Sequence, residues 1–185
     1  MLNKNKKDQK DIFLTIPELN ILLDRTIDFI KTCENKVAIV LSIYGVILAI
    51  LFSSENIQSV KNATKSILVA DRCIGILFII FFIISLLILI LGIGTLLAVL
   101  FANTKCLEYQ SKIFFNHIAT NSSWKQYKEV LLEYSEENHK DDLISQIHRN
   151  STICSIKFKR YQTGLKISLI GFSSFILMWV VSMSV

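Results

Sequence analysis

The amino-acid sequence predicts an all-α integral membrane protein, with three transmembrane helices and a cytoplasmic helical bundle. Of its 185 residues, 52% are apolar and the mean hydropathy is +0.49, which is more hydrophobic than an ordinary soluble domain. The apolar residues also concentrate in three long runs. The cytoplasmic bundle is expected to consist of the N-terminal helix and the segment between the second and third spans.

The three apolar runs define the predicted spans, at residues 37–53, 73–101 and 166–184. A bilayer core of about 30 Å requires about 20 residues of apolar helix. The first run lies near the lower limit, and Lys36 extends it by reaching outward. The second run would form a helix of roughly 43 Å, so we expect it to tilt strongly or to protrude from the lipid.

The remaining segments are predicted from their polarity and helix signals. We expect a disordered polar tail at 1–15, a cytoplasmic amphipathic helix at 16–36, an external loop at 54–72 and a cytoplasmic helical segment at 102–165. Thr15 and Glu18 predict a capping box, and Ser123 with Gln126 predicts a second cap. At helical spacing, one face of the first helix is formed by mostly apolar residues: Leu19, Leu22, Leu23, Thr26, Ile30, Cys33 and Val37.

The distribution of basic residues predicts the orientation in the membrane. Seven Lys and Arg residues precede the first span, three lie between the first two spans, and nine lie in 102–165. Because Lys and Arg accumulate on the cytoplasmic side, the N-terminus is expected in the cytoplasm and the C-terminus outside.

Several function classes are not supported by the sequence. Acidic residues interleave with the basic ones and no basic block occurs, so nucleic-acid binding is not expected. There is no phosphate-binding loop, nucleophile elbow or paired-carboxylate motif, so we expect no enzyme activity. The histidines, His117, His139 and His148, and the four scattered cysteines lack the spacing of metal ligands.

A polar stripe occurs on the helix predicted before the third span. It comprises Asp142, Gln146, Arg149, Asn150, Lys157 and Arg160. Cations and amides in this pattern suit a small polar anion such as a nucleotide, but the same pattern is typical of a solvated helix face. The basic residues nearest the membrane also suit anionic lipid headgroups. These readings stay open on spacing alone.

Small and hydroxyl residues inside the spans suggest helix contacts. We expect Gly92, Gly94 and Gly171 to allow close packing between subunits. Ser42, Ser85, Thr95 and Ser173 are expected to bridge helices.

Three blocks together resemble a known family. They are "CENKVAIVLSIYGVILAIL" from Cys33, "KIFFNHIAT" from Lys112 and "DDLISQIHRNSTICSIKFKRY" from Asp141. They are similar to the transmembrane effectors of Pycsar, the pyrimidine cyclase system of antiphage defence, over about residue 18 to the end. Glu34 stands where the family usually has Asp, and Val37 where it often has Ala.

The resemblance implies a multi-pass protein of the bacterial inner membrane that acts in antiphage defence. Its activating ligand would be a cyclic pyrimidine nucleotide, cUMP or cCMP, made by a partner nucleotide cyclase. Binding would make the protein oligomerise, as a homo-oligomer, or rearrange, and impair the membrane in abortive infection. No other cofactor is implied. The matching positions imply a nucleotide site at Asn35, Lys36, Asp142, Gln146, Asn150, Ser151 and Lys157.

Two other functions remain open from the residues. One is a membrane scaffold or anchor subunit that binds a protein partner and no nucleotide. The other is a small channel or transporter component, although the span interiors hold no ionisable residue of the kind that marks an ion path.

Overall fold

The computed structural model describes residues 14–101, 112 and 118–183. Within them the chain is helical and contains no strand, and three helices are long and apolar enough to cross a membrane: α1, α3 and α5. The chain is therefore an all-α membrane protein, as predicted. The helices are α1 (Ile16–Leu51), α2 (Ser54–Ala70), α3 (Arg72–Leu100), α4 (Trp124–Leu132) and α5 (Glu136–Met183).

The connection between the first two spans differs from the prediction. A loop was expected at 54–72, but α2 occupies most of it. Its sequence contains neither proline nor glycine, so nothing in it interrupts a helix. Asp71 then separates α2 from α3, because its carboxylate accepts hydrogen bonds from the backbone N–H groups of Cys73 and Ile74 at 2.8 and 3.3 Å and caps α3.

Both predicted caps are confirmed. Glu18 Oε2 accepts hydrogen bonds from the backbone N–H and the hydroxyl of Thr15, each at 2.8 Å, where α1 begins. Ser123 Oγ accepts from the backbone N–H of Gln126 at 3.3 Å, where α4 begins. Most of the polar tail, residues 1–13, and most of 102–117 lie outside the described residues.

The chain divides into two compact units. We call Met1–Phe29 with Lys105–Thr152 the polar unit, and Ile30–Thr104 with Ile153–Val185 the span unit. Helices α1 and α5 each contribute residues to both. Of the apolar face predicted for α1, Leu19 and Thr26 are buried in the polar unit and Cys33 and Val37 in the span unit, whereas Leu22 is 41% exposed.

The long helices of the span unit alternate in direction. Contacts between α1 and α5 advance along both helices, from Glu34 with Lys157 to Tyr44 with Ser168, so these helices are parallel. Contacts between α3 and α5 advance in opposite directions, because Leu89 approaches Gly171 whereas Leu96 approaches Gly164. Three alternating helices are the arrangement expected of three successive spans.

Small residues let α3 and α5 pack closely. A Cβ on Gly171 would lie 2.5 Å from the backbone nitrogen of Leu89, and one on Gly92 would overlap the backbone of Ser168. Gly92 and Gly171 were expected to pack between subunits, but they serve contacts between helices of one chain. Gly94, in contrast, has open space where its Cβ would be. Close backbone approach through small residues is typical of membrane helices.

A buried hydrogen bond joins α1 to α5. Tyr44 Oη and Ser168 Oγ are 3.1 Å apart. The bridging hydroxyls predicted at Ser42, Ser85 and Thr95 instead bond to carbonyls of their own helices. A serine or threonine hydroxyl in a helix commonly donates to a carbonyl three or four residues earlier in the same helix.

A ring cluster marks the end of α1. Phe52 stacks on Phe175, with ring centroids 6.0 Å apart, and meets the edge of Trp179 at 5.8 Å. Phe82 of α3 joins the same rings, 5.2 Å from Phe175. Beyond this level α2 packs against the first turns of α3, as the contact of Leu68 with Gly75 shows.

Candidate functional site

The seven residues of the predicted nucleotide site belong to both units. Asn35, Lys36 and Lys157 lie in the span unit, and the polar unit contains Asp142, Gln146, Asn150 and Ser151.

The ammonium group of Lys157, a residue of α5, lies at the C-terminal end of α3. Its side chain projects from α5 and is buried, with 5% of the residue exposed. The ammonium donates hydrogen bonds to Glu34 Oε1 at 2.7 Å and to the backbone carbonyl of Val99. The last carbonyls of a helix lack partners within it and carry a partial negative charge, so a cation stabilises them. One amine thus joins α1, α3 and α5.

Arg160 lies one turn after Lys157 and acts on the same helix end. Its Nη1 donates to the backbone carbonyl of Ala98 at 3.3 Å. Residues three apart share a helix face, so the two cations form what we call the basic cap: Lys157 and Arg160. Arg160 is exposed, and a guanidinium has five N–H donors in a planar fork suited to carboxylate or phosphate.

Glu34 is a partner of Lys157 that sequence reasoning missed. It was noted only as a departure from the family's usual Asp, whereas the structure makes it the anion paired with buried Lys157. Asn35 and Lys36, which the resemblance placed in the nucleotide site, follow Glu34 in the sequence and are exposed. An acidic residue just ahead of an apolar run is itself a signal, because a carboxylate near the membrane needs a cation.

Asp142 has internal partners in the polar unit. It is fully buried, and its Oδ2 accepts hydrogen bonds from the hydroxyl of Tyr134 and from the backbone N–H of Lys112, the latter at 3.1 Å. The Tyr134 ring also meets the edge of His139, with centroids 5.9 Å apart. In the described part of the chain Asp142 Oδ1 has no hydrogen-bond partner. Through these hydrogen bonds, Asp142 connects the first turns of α5 to Lys112 and to Tyr134.

The other predicted residues of the polar unit are more accessible. Gln146 and Asn150 are half-buried, and Ser151 is exposed. These side chains offer amide and hydroxyl groups that donate and accept hydrogen bonds. Among residues 14–101, 112 and 118–183, no group of three or more His, Cys, Asp or Glu side chains is placed to hold a metal ion; His117 lies outside these ranges.

Comparisons with known proteins give a consistent family. Residues 18–185 match the Pycsar effector protein domain. The chain is also similar to the Pycsar effector protein GmPycTM of Gulbenkiania mobilis, with 28% identity over 158 residues that cover 77% of this chain and 80% of the relative. No solved structure matches the chain.

Proposed function

This chain belongs to the Pycsar effector family and so acts as a membrane effector of antiphage defence, and on that premise we propose its ligand and its action. It binds a cyclic pyrimidine nucleotide, cUMP or cCMP, made by a partner cyclase. It then oligomerises or rearranges and impairs the bacterial inner membrane, which produces abortive infection. In this proposal the N-terminus lies in the cytoplasm, where the nucleotide is made.

The basic cap is the observation that carries the proposal. A cyclic nucleotide has an anionic phosphate, and Lys and Arg hold phosphate by charge-assisted hydrogen bonds. Arg160 is exposed and has donors beyond the one bonded to Ala98, so it offers the first contact. Asn35 and Lys36, exposed next to Glu34, supply an amide and a further cation. For Asp142, Gln146, Asn150 and Ser151 a ligand role rests on the resemblance alone.

Competition for the basic cap gives a physical route to activation. A phosphate that draws Lys157 away from Glu34 and Val99 removes the link between α1, α3 and α5. The spans then change their packing, since a ligand shifts a protein toward the conformation that it binds better. Moving a population from mostly resting to mostly active takes about 5.5 kcal/mol. Several sites coupled in an oligomer supply this more readily than one small ligand does.

The thermal stability of the detergent-purified protein tests the ligand. We expect Tm to rise with cUMP or cCMP and not with cAMP or cGMP, because a ligand at 100 times its dissociation constant stabilises the folded state by about 2.7 kcal/mol. Arg160→Gln should weaken binding about tenfold, the equivalent of one lost charged contact. The matched control is Lys159→Gln, at an exposed neighbouring cation that forms no hydrogen bond or ion pair with the residues that the structure describes.

Membrane damage is measured in cells with the partner cyclase active. Dye uptake and growth arrest should require Arg160 and Asn150 but not Lys159. Two results together would show that the effector binds no nucleotide at the basic cap. No nucleotide would shift the Tm of the folded protein, and cells with Arg160→Gln would show the same dye uptake and growth arrest as cells with the wild-type protein. The scaffold or anchor function would then account better for the cytoplasmic helices.

A further inference from the structure

A groove of about 390 Å³ runs between α2 and α3 within the span unit, a size in the range of small-ligand pockets, about 300–1,000 Å³. The two helices line it with the same spacing. One wall is formed by α3, with Phe78, Ile79, Phe82 and Ile83. The opposite wall is formed by α2, with Val60, Lys61, Thr64 and Lys65. One wall is thus entirely apolar and the other carries two cations.

The two lysines have no anionic partner among the residues that the structure describes. Lys61 and Lys65 are exposed and lie four residues apart, on one face of α2. In the ranges that the structure describes, neither forms an ion pair or a hydrogen bond. They stand beside α3, the most apolar of the three candidate spans, with a hydropathy of 3.5. A cation next to a membrane helix extends toward an anion or toward water.

The α2–α3 pair fits the boundary between lipid and water. On α2, Glu55, Gln58 and Asn62 are exposed, and such groups are not stable in hydrocarbon. On α3, Ile76, Ile80 and Phe81 are exposed, and contact of a continuous apolar surface with water is unfavourable. Both conditions are met only where the polar side of α2 faces headgroups and the apolar side of α3 faces acyl chains.

We propose that this groove binds one anionic phospholipid. The acyl chain lies along Phe78 and Phe82, and the phosphate is held between the ammonium groups of Lys61 and Lys65. Charge complementarity selects the lipid, because two unpaired cations prefer a headgroup with net negative charge to a zwitterionic one. The proposal uses residues apart from the basic cap and does not depend on nucleotide binding.

Native mass spectrometry of the full chain, released from detergent with added lipid, tests the site. Phosphatidylglycerol should bind more tightly than phosphatidylcholine with the same acyl chains. The double variant Lys61→Gln/Lys65→Gln should raise the dissociation constant for phosphatidylglycerol about tenfold, as expected when a charged contact is lost. Lys61→Arg/Lys65→Arg keeps both charges and should keep most of the binding.

Three controls separate this site from other sources of binding. Lys125→Gln/Lys128→Gln removes two exposed charges from α4 and should leave lipid binding unchanged. Ile83→Trp, at a side chain 50% exposed, should weaken phosphatidylglycerol binding by narrowing the groove. Glycerol phosphate, which has no acyl chain, should bind far more weakly than the lipid.

Equal binding of the two lipids, or undiminished phosphatidylglycerol binding by the folded Gln variant, would overturn the proposal. Binding of glycerol phosphate as tight as that of the lipid would identify a free-phosphate site and would also overturn it. Circular dichroism establishes that each variant is folded before the comparison.

Discussion

In the span unit the helices approach until backbone meets backbone, at Gly92 and Gly171, whereas the described part of the polar unit is joined by side-chain hydrogen bonds to buried Asp142. Lipid is as apolar as the helices themselves, so burial of apolar surface does not drive membrane helices together and close packing has to do so. In a unit surrounded by water, by contrast, most buried polar groups are hydrogen-bonded within the protein, as Asp142 Oδ2 is. The solvent expected around each unit explains the difference.

The largest effect is expected where a buried acceptor is removed from the polar unit. Asp142→Ala removes the acceptor of the Lys112 N–H and one of two acceptors near the Tyr134 hydroxyl, the other being the Asn138 carbonyl at 3.3 Å. Since hydrogen bonds to a charged group contribute about 1.5–3 kcal/mol each, we expect a loss of about 3 kcal/mol, measured by thermal unfolding in detergent. The control is Asp141→Ala, at an exposed neighbouring carboxylate, for which a change within about 0.5 kcal/mol is expected. Equal effects would mean that Asp142 is not a structural acceptor.

The second effect compares two glycines on one turn of α3. Gly92→Ala places a Cβ against the backbone of Ser168 and should destabilise the protein by about 1–3 kcal/mol, the usual cost of overpacking. Gly94→Ala has open space and should be neutral or stabilising by up to about 1 kcal/mol, because alanine favours helix over glycine. Unfolding followed by circular dichroism in the same detergent gives both values. If Gly94→Ala lowers the free energy of unfolding as much as Gly92→Ala does, the close contact with α5 is not specific to the face of α3 that carries Gly92.

The smallest effect is expected from the hydrogen bond within the packed helices. Tyr44→Phe removes the hydroxyl facing Ser168 and should cost about 0.6 kcal/mol, the average for hydrogen bonds between membrane helices. A double-mutant cycle with Ser168→Ala isolates the pair from the bond that Ser168 makes to Leu165 in its own helix. A coupling as large as the effect of Asp142→Ala would erase the contrast between the units.

The sequence predicted those features that depend on neighbouring residues. Thr15 with Glu18 and Ser123 with Gln126 cap their helices as expected, because a cap is decided within one turn. The periodicity of α1 correctly placed Leu19, Thr26, Cys33 and Val37 on a buried face. The prediction was wrong for Leu22, which is exposed, because a helical wheel does not show how wide a face of α1 the neighbouring helices cover.

The candidate site was less predictable because its contacts join distant positions. Lys157 was selected, but its partners Glu34 and Val99 lie 123 and 58 positions away, and nothing in local spacing identifies such pairs. Gly92 and Gly94 look equivalent in the sequence, and only the position of α5 distinguishes them. The helix at α2 was not predicted, because residues 54–72 were defined only as the connection between two spans.

The contacts of Lys157 also impose an order on how the protein is built. A chain leaves the ribosome from its N-terminus, so Glu34 and the end of α3 exist before Lys157 has been synthesised. Until α5 is made, that carboxylate and the Val99 carbonyl lack the ammonium group of Lys157. The amine that completes them comes with the last helix, and its arrival closes the bundle only when both earlier helices have reached matching positions.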